Sequence, residues 1–300
     1  MDAARDCKTR EIVEADDLKL LDHVDTYGYE CHGHNCEVQA FPRAFRPENL
    51  VRAHFQVRSS HGADCDVAAE EAIIERGSKA SVQQELETSP GLSPARLQLV
   101  DTRQIVNPEL VPSELRAQAA GRNTSKGNTG QRPAGRRPAN SIRPICKSFL
   151  RFPFDRQLSL HIDGIDTTTY QTVFKKLRSK GFEQFARQRV FYAELAWTAA
   201  EESIEHLTIP LNAGEWIEGK LVCYSVVVNW TEWSNTARSR LKNELETARQ
   251  ENMAASKSKA KTRSYLFFIG SQDAQTPSLF HVNDQRLICT IHGHLVFPAA

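Results

Sequence analysis

Apolar and polar residues alternate over several short stretches in the second half of the chain, and this period of two is typical of half-buried β-strands. Residues 157–162, with the sequence Q-L-S-L-H-I, show the alternation. A 3.6-residue period interrupts it twice and predicts helices at residues 170–177 and 236–255. Further strands are predicted at residues 189–197, 203–209, 220–230, 263–269, 279–282, 287–291 and 294–297.

Strands in a meander with an inserted helix predict an α+β domain with a mostly antiparallel sheet. A partly open barrel of the oligonucleotide-binding (OB) kind is one topology that this order allows. The first half of the chain predicts smaller elements. Residues 1–26 are predicted to contain a short strand followed by a helical turn. A helix begins near Asp66 and ends near Gly77, and a short strand covers residues 96–100.

Four metal-ligand side chains stand among the short strands of residues 27–65. Cys31 and Cys36 flank a glycine-containing turn, and His54 and Cys65 follow at distances that a small zinc site can span. A closed zinc site needs four tetrahedral ligands from thiolate and imidazole, which these residues supply. The strands around them are too short to bury a self-sufficient core, so we expect bound Zn²⁺ to contribute much of the folding free energy. The segment therefore predicts a zinc-ribbon-like module.

Other interpretations of this segment stay open. His61 is an alternative to His54 as the fourth ligand, whereas His32 and His34, inside the turn, are expected to be solvated or to lie outside the ligand set. The cysteines could instead be reduced, buried thiols without a metal. A disulfide framework is not favoured, because the seven cysteines are an odd number and no signal peptide precedes them.

The order Cys-x4-Cys, an apolar strand, His-Phe, and then a further His and Cys resembles the N-terminal zinc-finger region of the bacterial competence protein CoiA-like family. The resemblance covers residues 10–70 and assigns nothing downstream. It implies Cys31, Cys36, His54 and Cys65 as zinc ligands. In that family a small cysteine/histidine module precedes a separate DNA-processing or uncharacterised domain, so the resemblance implies a role in bacterial DNA processing or defence.

Length and composition predict two domains. The 300 residues are 40% apolar and 25% charged, which suffices for two compact units. Residues 116–151 contain nine Lys or Arg, no Asp or Glu, and much Gly, Pro, Asn and Ser, a composition that does not bury a core. We expect a zinc-binding domain at 1–115, a basic flexible linker at 116–141 and an α+β domain at 142–300.

The net charge of +1 conceals an uneven distribution, and nucleic acid responds to the local potential. The acid-free linker predicts a basic arm that binds phosphates, with an inert tether as the alternative. Basic and aromatic residues are also interleaved in the second domain. In single-strand binders, the cations hold the phosphate backbone and unpaired bases stack on the aromatic rings. Most of these aromatic residues are nevertheless expected in the core. The residues predicted to bind it are Arg136, Arg137, Arg143, Lys147, Arg151, Trp216, Trp233, Lys257, Lys259 and Lys261.

No strong catalytic constellation is present in the sequence, and no catalytic residue is predicted. Glu218-Gly219-Lys220 has the carboxylate-x-lysine form of metal-dependent nucleases, with Asp163 or Glu194 as a further Mg²⁺ ligand. We therefore predict a non-enzymatic, zinc-containing protein that binds single-stranded nucleic acid, with protein partners from a DNA-processing or defence complex. The alternatives are a metal-dependent nuclease of DNA uptake or defence, and a protein-interaction adaptor with a purely structural zinc site.

The hydropathy of the chain predicts no membrane association. No apolar run approaches the length that crosses a bilayer, and the first residues are charged. We therefore expect a cytoplasmic protein whose free cysteines are reduced.

Overall fold

The computed structural model describes residues 1–99 and 136–298, except for Asp22, His34, Pro47, Leu50, Ala63, Asp64 and Pro90. These residues form a mixed α+β structure with several sheets and few helices. The helices are α1 (Asp66–Gly77), α2 (Gln83–Thr88), α3 (Ile142–Arg151), α4 (Tyr170–Val173) and α5 (Asn235–Lys257), with 3₁₀ turns at Ala15–Leu20 and Gln285–Leu287. The strands are β1 (Ala3–Asp6), β2 (Ile12–Glu14), β3 (Tyr29–Glu30), β4 (Ala40–Arg43), β5 (His54–Val57), β6 (Arg96–Leu97), β7 (Pro138–Ala139), β8 (Phe174–Lys176), β9 (Val190–Glu194), β10 (Glu201–Glu202), β11 (His206–Ile217), β12 (Lys220–Asn229), β13 (Arg263–Phe268), β14 (Ser271–Gln272), β15 (Leu279–Val282) and β16 (Ile288–Gly293).

Very short strands make up the N-terminal module, residues 1–65. One sheet has the order β2-β1-β3, and β4 and β5 form a separate antiparallel pair. Their apolar core is small, and its largest members are Leu18, Tyr29 and Phe55, with the two aromatic ring centroids 5.2 Å apart. A core of this size gives little stability by itself, so the module depends on additional interactions.

Two larger sheets form most of the second half of the chain, in the orders β16-β13-β9-β8 and β10-β11-β12-β15-β14. Tyr265 and Phe267 of β13 lie in a core shared with α3, whereas Leu266 and Phe268, on its opposite face, pack with the five-stranded sheet and α5. The four-stranded sheet is therefore buried on both faces. This explains why β13 has a continuous apolar sequence instead of an alternating one.

The expected OB-like barrel does not form, since the strands within the described ranges close no barrel. Two covering layers are needed because β9 and β13 are apolar on both faces, and a small barrel supplies only one interior. Most strand pairs are antiparallel as predicted, but β8–β9, β12–β15 and β6–β7 are parallel.

Two helices differ from the sequence prediction. Residues 142–151 open the predicted second domain, where no helix was predicted, yet they form α3, whose buried Ile142, Ile145, Cys146 and Phe149 follow the i, i+3, i+4, i+7 pattern of an amphipathic helix. The helix predicted at 170–177 ends at Val173, and the chain continues as β8, which pairs with β9. Pairing with a buried neighbouring strand outweighs the helical periodicity of this segment.

The predicted domain boundary is crossed by a common core. Ile73 of α1 and Leu86 of α2 belong to the same apolar cluster as Phe149 and Phe267. The last residues of the predicted linker are also placed, because β7 pairs with β6 and the amide of Gln98 donates to Ala139 O at 2.8 Å. Residues 116–135 of the predicted linker lie outside the described residues.

One buried guanidinium joins the N-terminal module to the second half. Arg143 of α3 is 3% exposed, and its Nε lies 3.2 Å from Asp16 Oδ2. Its Nη2 donates to Glu244 Oε2 at 2.5 Å, and its Nη1 donates to Thr290 O at 3.2 Å. Burial opposes the charge, but the two carboxylates raise the pKa of Arg143 well above its ordinary value. Three segments distant in sequence are thus held by one cation.

Replacing Arg143 with Met should lower the free energy of unfolding by about 3–5 kcal/mol, because Asp16 and Glu244 would be left without their buried partner. Arg249→Met is the matched control. It removes the ion pair between Arg249 and Glu246, whose side chains are both partly exposed to solvent. Such a pair should contribute less than about 1 kcal/mol. Urea titrations of the two variants measure both values, and equal losses would contradict the assigned role of Arg143.

The same variant has a pH signature. Burial raises the pKa values of Asp16 and Glu244, but Arg143 outweighs it and holds both below their ordinary values of 3.8 and 4.5. Their contribution is therefore present at neutral pH and is lost as the pH falls through and below those ordinary values. The difference in stability between wild type and Arg143→Met should shrink over this acid range.

Candidate metal centre and basic cleft

Three thiols and one imidazole meet in the N-terminal module. Cys31 Sγ lies 3.6 Å from Cys65 Sγ, and His61 Nδ1 lies 3.4 Å from Cys65 Sγ and 3.6 Å from Cys36 Sγ. All four ligand atoms are within 4.8 Å of one another. A tetrahedral ion with ligands at about 2.0–2.3 Å requires separations of about 3.4–3.8 Å between them. The cluster therefore fits a four-coordinate metal ion.

The backbone explains how the cysteines converge. Cys31 directly follows β3, and its amide donates to Val38 O at 2.8 Å, which closes the turn that contains Cys36. Gly33 lies in this turn, where a Cβ atom would be 2.5 Å from Cys65 Sγ. A side chain at position 33 would collide with a ligand, so the approach of the turn to Cys65 requires glycine.

Arg5 of β1 holds the turn from outside the ligand set. Its Nη1 donates to Glu30 Oε1 at 3.2 Å, and its Nη2 donates to the carbonyl oxygens of His32 and Gly33 at 2.9 and 3.3 Å. The His32 ring is fixed as well, with Nδ1 3.1 Å from Ala3 O. The first strand thus positions the turn that carries two of the thiols, a role typical of groups just beyond a metal's ligands.

The thiols differ in acidity. Burial raises the pKa of Cys31. Burial would do the same to Cys36, but hydrogen bonds from the amides of Gly62 and Val38 and from His61 outweigh it and lower its pKa to about 6. Cys36 is therefore the thiol most readily ionised at neutral pH, and a bound cation would promote ionisation of the others.

His54, the predicted fourth ligand, does not belong to the cluster, and His61 takes that place. His54 is exposed on β5, with Nδ1 3.2 Å from Arg52 O. Its neighbour Phe55 is 1% exposed in the small core, so strand alternation directs the two side chains to opposite faces. The loop after β5 then returns the chain to the thiols and brings His61 among them.

Four of the cations predicted to bind nucleic acid form ion pairs or hydrogen bonds with other parts of the chain. Arg143 is enclosed as described above, and Lys147 and Arg151 pair with Asp2 Oδ2 at 3.3 and 2.8 Å. Arg136 donates through Nε to Ser93 O at 2.7 Å. These side chains hold the fold and are not placed as a phosphate-binding surface.

The other predicted residues lie at separate places. Arg137 is half-buried and lines a cavity treated below. Trp233 packs against the second apolar core and donates through Nε1 to Asn283 O at 2.7 Å. Trp216 is 63% exposed on the β11–β12 hairpin. The three lysines Lys257, Lys259 and Lys261 are exposed at the end of α5.

A different set of cations lines an open cleft of about 790 Å³, here called the basic cleft. Its cationic rim is the stretch 174–180, F-K-K-L-R-S-K, which runs along the edge strand β8 and the loop after it. The ring-bearing residues Tyr192, Tyr265 and Phe297 line the same cleft. Cations and aromatic rings therefore face one space.

The rim cations are mostly uncompensated. Lys176, Arg178 and Lys180 are exposed, and no carboxylate within the described ranges lies within 4.0 Å of them. Lys175 pairs with Glu183 at 3.2 Å, and Glu194, the acidic residue that lines the cleft, is 3.5 Å from Arg263. The sequence predicted a helix up to residue 177, but α4 ends at Val173, so Lys175 and Lys176 lie on the edge strand β8 and Lys180 lies in the loop after it.

Hydrogen bonds fix the cleft loop against the β11–β12 hairpin. The amide of Gly181 donates to Gly214 O at 3.3 Å, and Tyr224 Oη donates to Gly181 O at 3.2 Å. Trp216 follows two residues after Gly214 on the same hairpin. The exposed indole is thus carried by the element to which the basic loop is attached.

The nuclease motif is not assembled into a metal site among the described side chains. Glu218 and Gly219 have φ values of 49° and 78° and form the tight turn of the β11–β12 hairpin. Asp163 is exposed and contacts His161, and Glu194 is engaged with Arg263. The Glu-x-Lys spacing therefore reflects a hairpin turn.

One serine–histidine–glutamate contact also lacks catalytic geometry. Ser264 Oγ is 2.9 Å from His292 Nδ1 and 3.2 Å from Glu251 Oε2. The same imidazole nitrogen also faces Glu251 at 3.8 Å, so the carboxylate does not orient the ring from its far side as in a hydrolase triad. Ser264 is fully buried as well, which leaves no room for a substrate.

Replacing His61 with Ala should lower metal affinity more than about 100-fold, because loss of a partner outside the ligand set already costs about 10–100-fold. His54→Ala is the matched control and should retain the metal, since His54 is exposed and outside the cluster. Elemental analysis of both purified proteins, followed by competition with a chelator, measures the effect. Metal loss in His54→Ala alone would overturn the assignment of His61.

Comparison of the chain with protein-family models, curated proteins and solved structures found no match. The resemblance to the CoiA-like family therefore stays a prediction, and the site is interpreted from its own geometry. None of the described helices is both long and apolar enough to span a membrane.

Proposed function

We propose that the protein binds single-stranded nucleic acid through the basic cleft, and that a structural Zn²⁺ ion stabilises its N-terminal module. The observation that supports nucleic-acid binding is the set of uncompensated cations Lys176, Arg178 and Lys180 on the rim of a cleft lined by aromatic rings. The proposal assigns no catalytic activity to the protein.

Zinc is the metal that the ligand set favours. Three thiolates and one imidazole are typical of structural zinc sites, whereas carboxylate and carbonyl oxygens suit Mg²⁺ and Ca²⁺. Four protein ligands complete a tetrahedron and leave no position for a water or a substrate. The proposed ion therefore contributes folding free energy and not chemistry.

Cations and rings have separate roles in the proposed complex. Lysine and arginine side chains neutralise phosphates and release counterions, which gives affinity without sequence preference. Aromatic rings stack on unpaired bases. Phe297 is 58% exposed at the cleft, and the guanidinium carbon of Arg156 lies 5.0 Å from its ring centroid, an arrangement that holds the ring in place.

The rings also favour a single strand over a duplex. Base faces are hidden in a duplex and are accessible in a single strand, so stacking on Phe297 or Trp216 requires unpaired bases. Trp216 lies on the hairpin to which the basic loop is attached, so a strand held by the rim cations would pass close to this indole. DNA and RNA both satisfy this chemistry.

A protein-interaction adaptor is the second candidate. The end of the β11–β12 hairpin exposes Trp216, Ile217 and Val222, an apolar group that is unusual on a monomer surface and typical of protein contacts. This candidate would be favoured if the metal-loaded protein bound no nucleic acid at low salt.

Neutralising the rim in the triple variant Lys176→Gln, Arg178→Gln, Lys180→Gln should weaken binding of labelled single-stranded DNA and RNA in fluorescence-anisotropy titrations. The slope of log affinity against log salt should fall in magnitude by about 2, since each phosphate contact in a single strand contributes about 0.7. Duplex of the same sequence should bind more weakly than the single strand to the wild type.

Two triple variants with the same charge change serve as controls. Lys8→Gln, Lys79→Gln, Lys242→Gln removes exposed cations on other elements and should leave the slope unchanged. Lys257→Gln, Lys259→Gln, Lys261→Gln tests the helix-end cations that the sequence indicated. An unchanged slope in the rim variant, or an equal loss in all three variants, would contradict the role of the basic cleft.

A further inference from the structure

A second cavity, of about 450 Å³, lies between the N-terminal module and the start of α3, and we call it the interface cavity. Its walls come from distant parts of the chain, including Glu14 of β2, Glu70 of α1, Arg137 before β7 and Lys147 of α3. Apolar side chains such as Ile74 lie between the charged groups. The volume is within the range of small-molecule sites.

Glu14 lines the cavity and has no ion-pair or hydrogen-bond partner for its carboxylate among the described residues. Among the residues that the structure describes, no donor bonds its carboxylate and no cation lies within 4.0 Å of it. Lys147, the cation that acts on it, pairs with Asp2 and Asp16 instead. Burial, with a smaller effect from Asp17, raises the pKa of Glu14 to about 7.

Arg137, a cation that lines the same cavity, also lacks an ion-pair partner among the described residues. No carboxylate within the described ranges lies within 4.0 Å of its guanidinium, and burial lowers its pKa. The acidic groups that act on it are Asp66 and Glu70, whereas those around Glu14 belong to the N-terminal segment. Arg137 and Glu14 therefore line the same cavity with different acidic neighbours.

Half-buried charges without partners reduce stability and are characteristic of ligand sites. A polyanion does not suit this cavity, because the five carboxylates on its walls outnumber the three lysine and arginine side chains. A ligand with one positive and one negative end satisfies both unpaired groups. We propose that the interface cavity binds a short zwitterionic peptide, with its amino group at Glu14 and its carboxylate at Arg137.

The proposed site is independent of the basic cleft. The binding step is non-covalent: the peptide ammonium donates hydrogen bonds to the Glu14 carboxylate, and the Arg137 guanidinium donates to the peptide carboxylate in a two-bond arrangement. The apolar walls would pack against the peptide between its ends. Free termini are thus the recognised feature, and their removal is the direct test.

Calorimetric titration of the metal-loaded protein with trialanine tests the proposal on the wild type. Saturable binding is expected, and blocking either end, as N-acetyl-trialanine or trialanine amide, should weaken it at least about 10-fold, the worth of one charge-assisted hydrogen bond. Equal binding of free and blocked peptides, or no saturable binding at millimolar trialanine, would overturn the proposal.

Variants assign the two ends. Glu14→Gln should bind free and N-acetylated peptide equally, and Arg137→Gln should bind the free acid and the amide equally. Glu87→Gln and Arg96→Gln change the same residue types at exposed positions outside the cavity and should retain the wild-type preference. A preference for free termini that survives in both cavity variants would contradict the assignment.

Discussion

The convergence of three thiols and an imidazole is the constraint on which the N-terminal module depends. Its strands contain two to four residues, and its apolar core has few large side chains. Such a unit does not offset the chain entropy lost on folding by burial alone. Cys31, Cys36, His61 and Cys65 fit the separations of a tetrahedral ion, and Gly33 leaves room for the closest approach.

The buried charges around Arg143 explain why the N-terminal module packs against the second half of the chain. These charges join the N-terminal segment to α3 and α5. In addition, α1 and α2 share an apolar core with the four-stranded sheet. The basic residues of α3 all form ion pairs within the protein. The cations left for a ligand lie elsewhere, on the edge strand β8 and its loop, where no carboxylate among the described residues lies within 4.0 Å of Lys176, Arg178 or Lys180.

Sequence patterns identified what local chemistry determines. Strong periodicity located α1, β12, β13 and α5 to within a few residues, and cysteine spacing located three ligand positions. The choice between His54 and His61 depended on how a loop returns after β5, which spacing does not encode. Residues 142–151 contain the amphipathic pattern of α3, but no helix was predicted there, because the basic, proline-containing composition of residues 116–151 obscures that pattern. The basic cleft was hidden because pairing between β8 and β9 replaced the end of a predicted helix.

The most direct test of the central claim is X-ray absorption spectroscopy at the zinc edge on protein purified without added metal. The account predicts a four-coordinate ion with three sulfur ligands at about 2.3 Å and one nitrogen at about 2.0–2.1 Å. A first shell with two sulfurs, with oxygen in place of nitrogen, or with five or more ligands would contradict the assigned site. Protein that folds fully with no bound metal would contradict the dependence of the module on it.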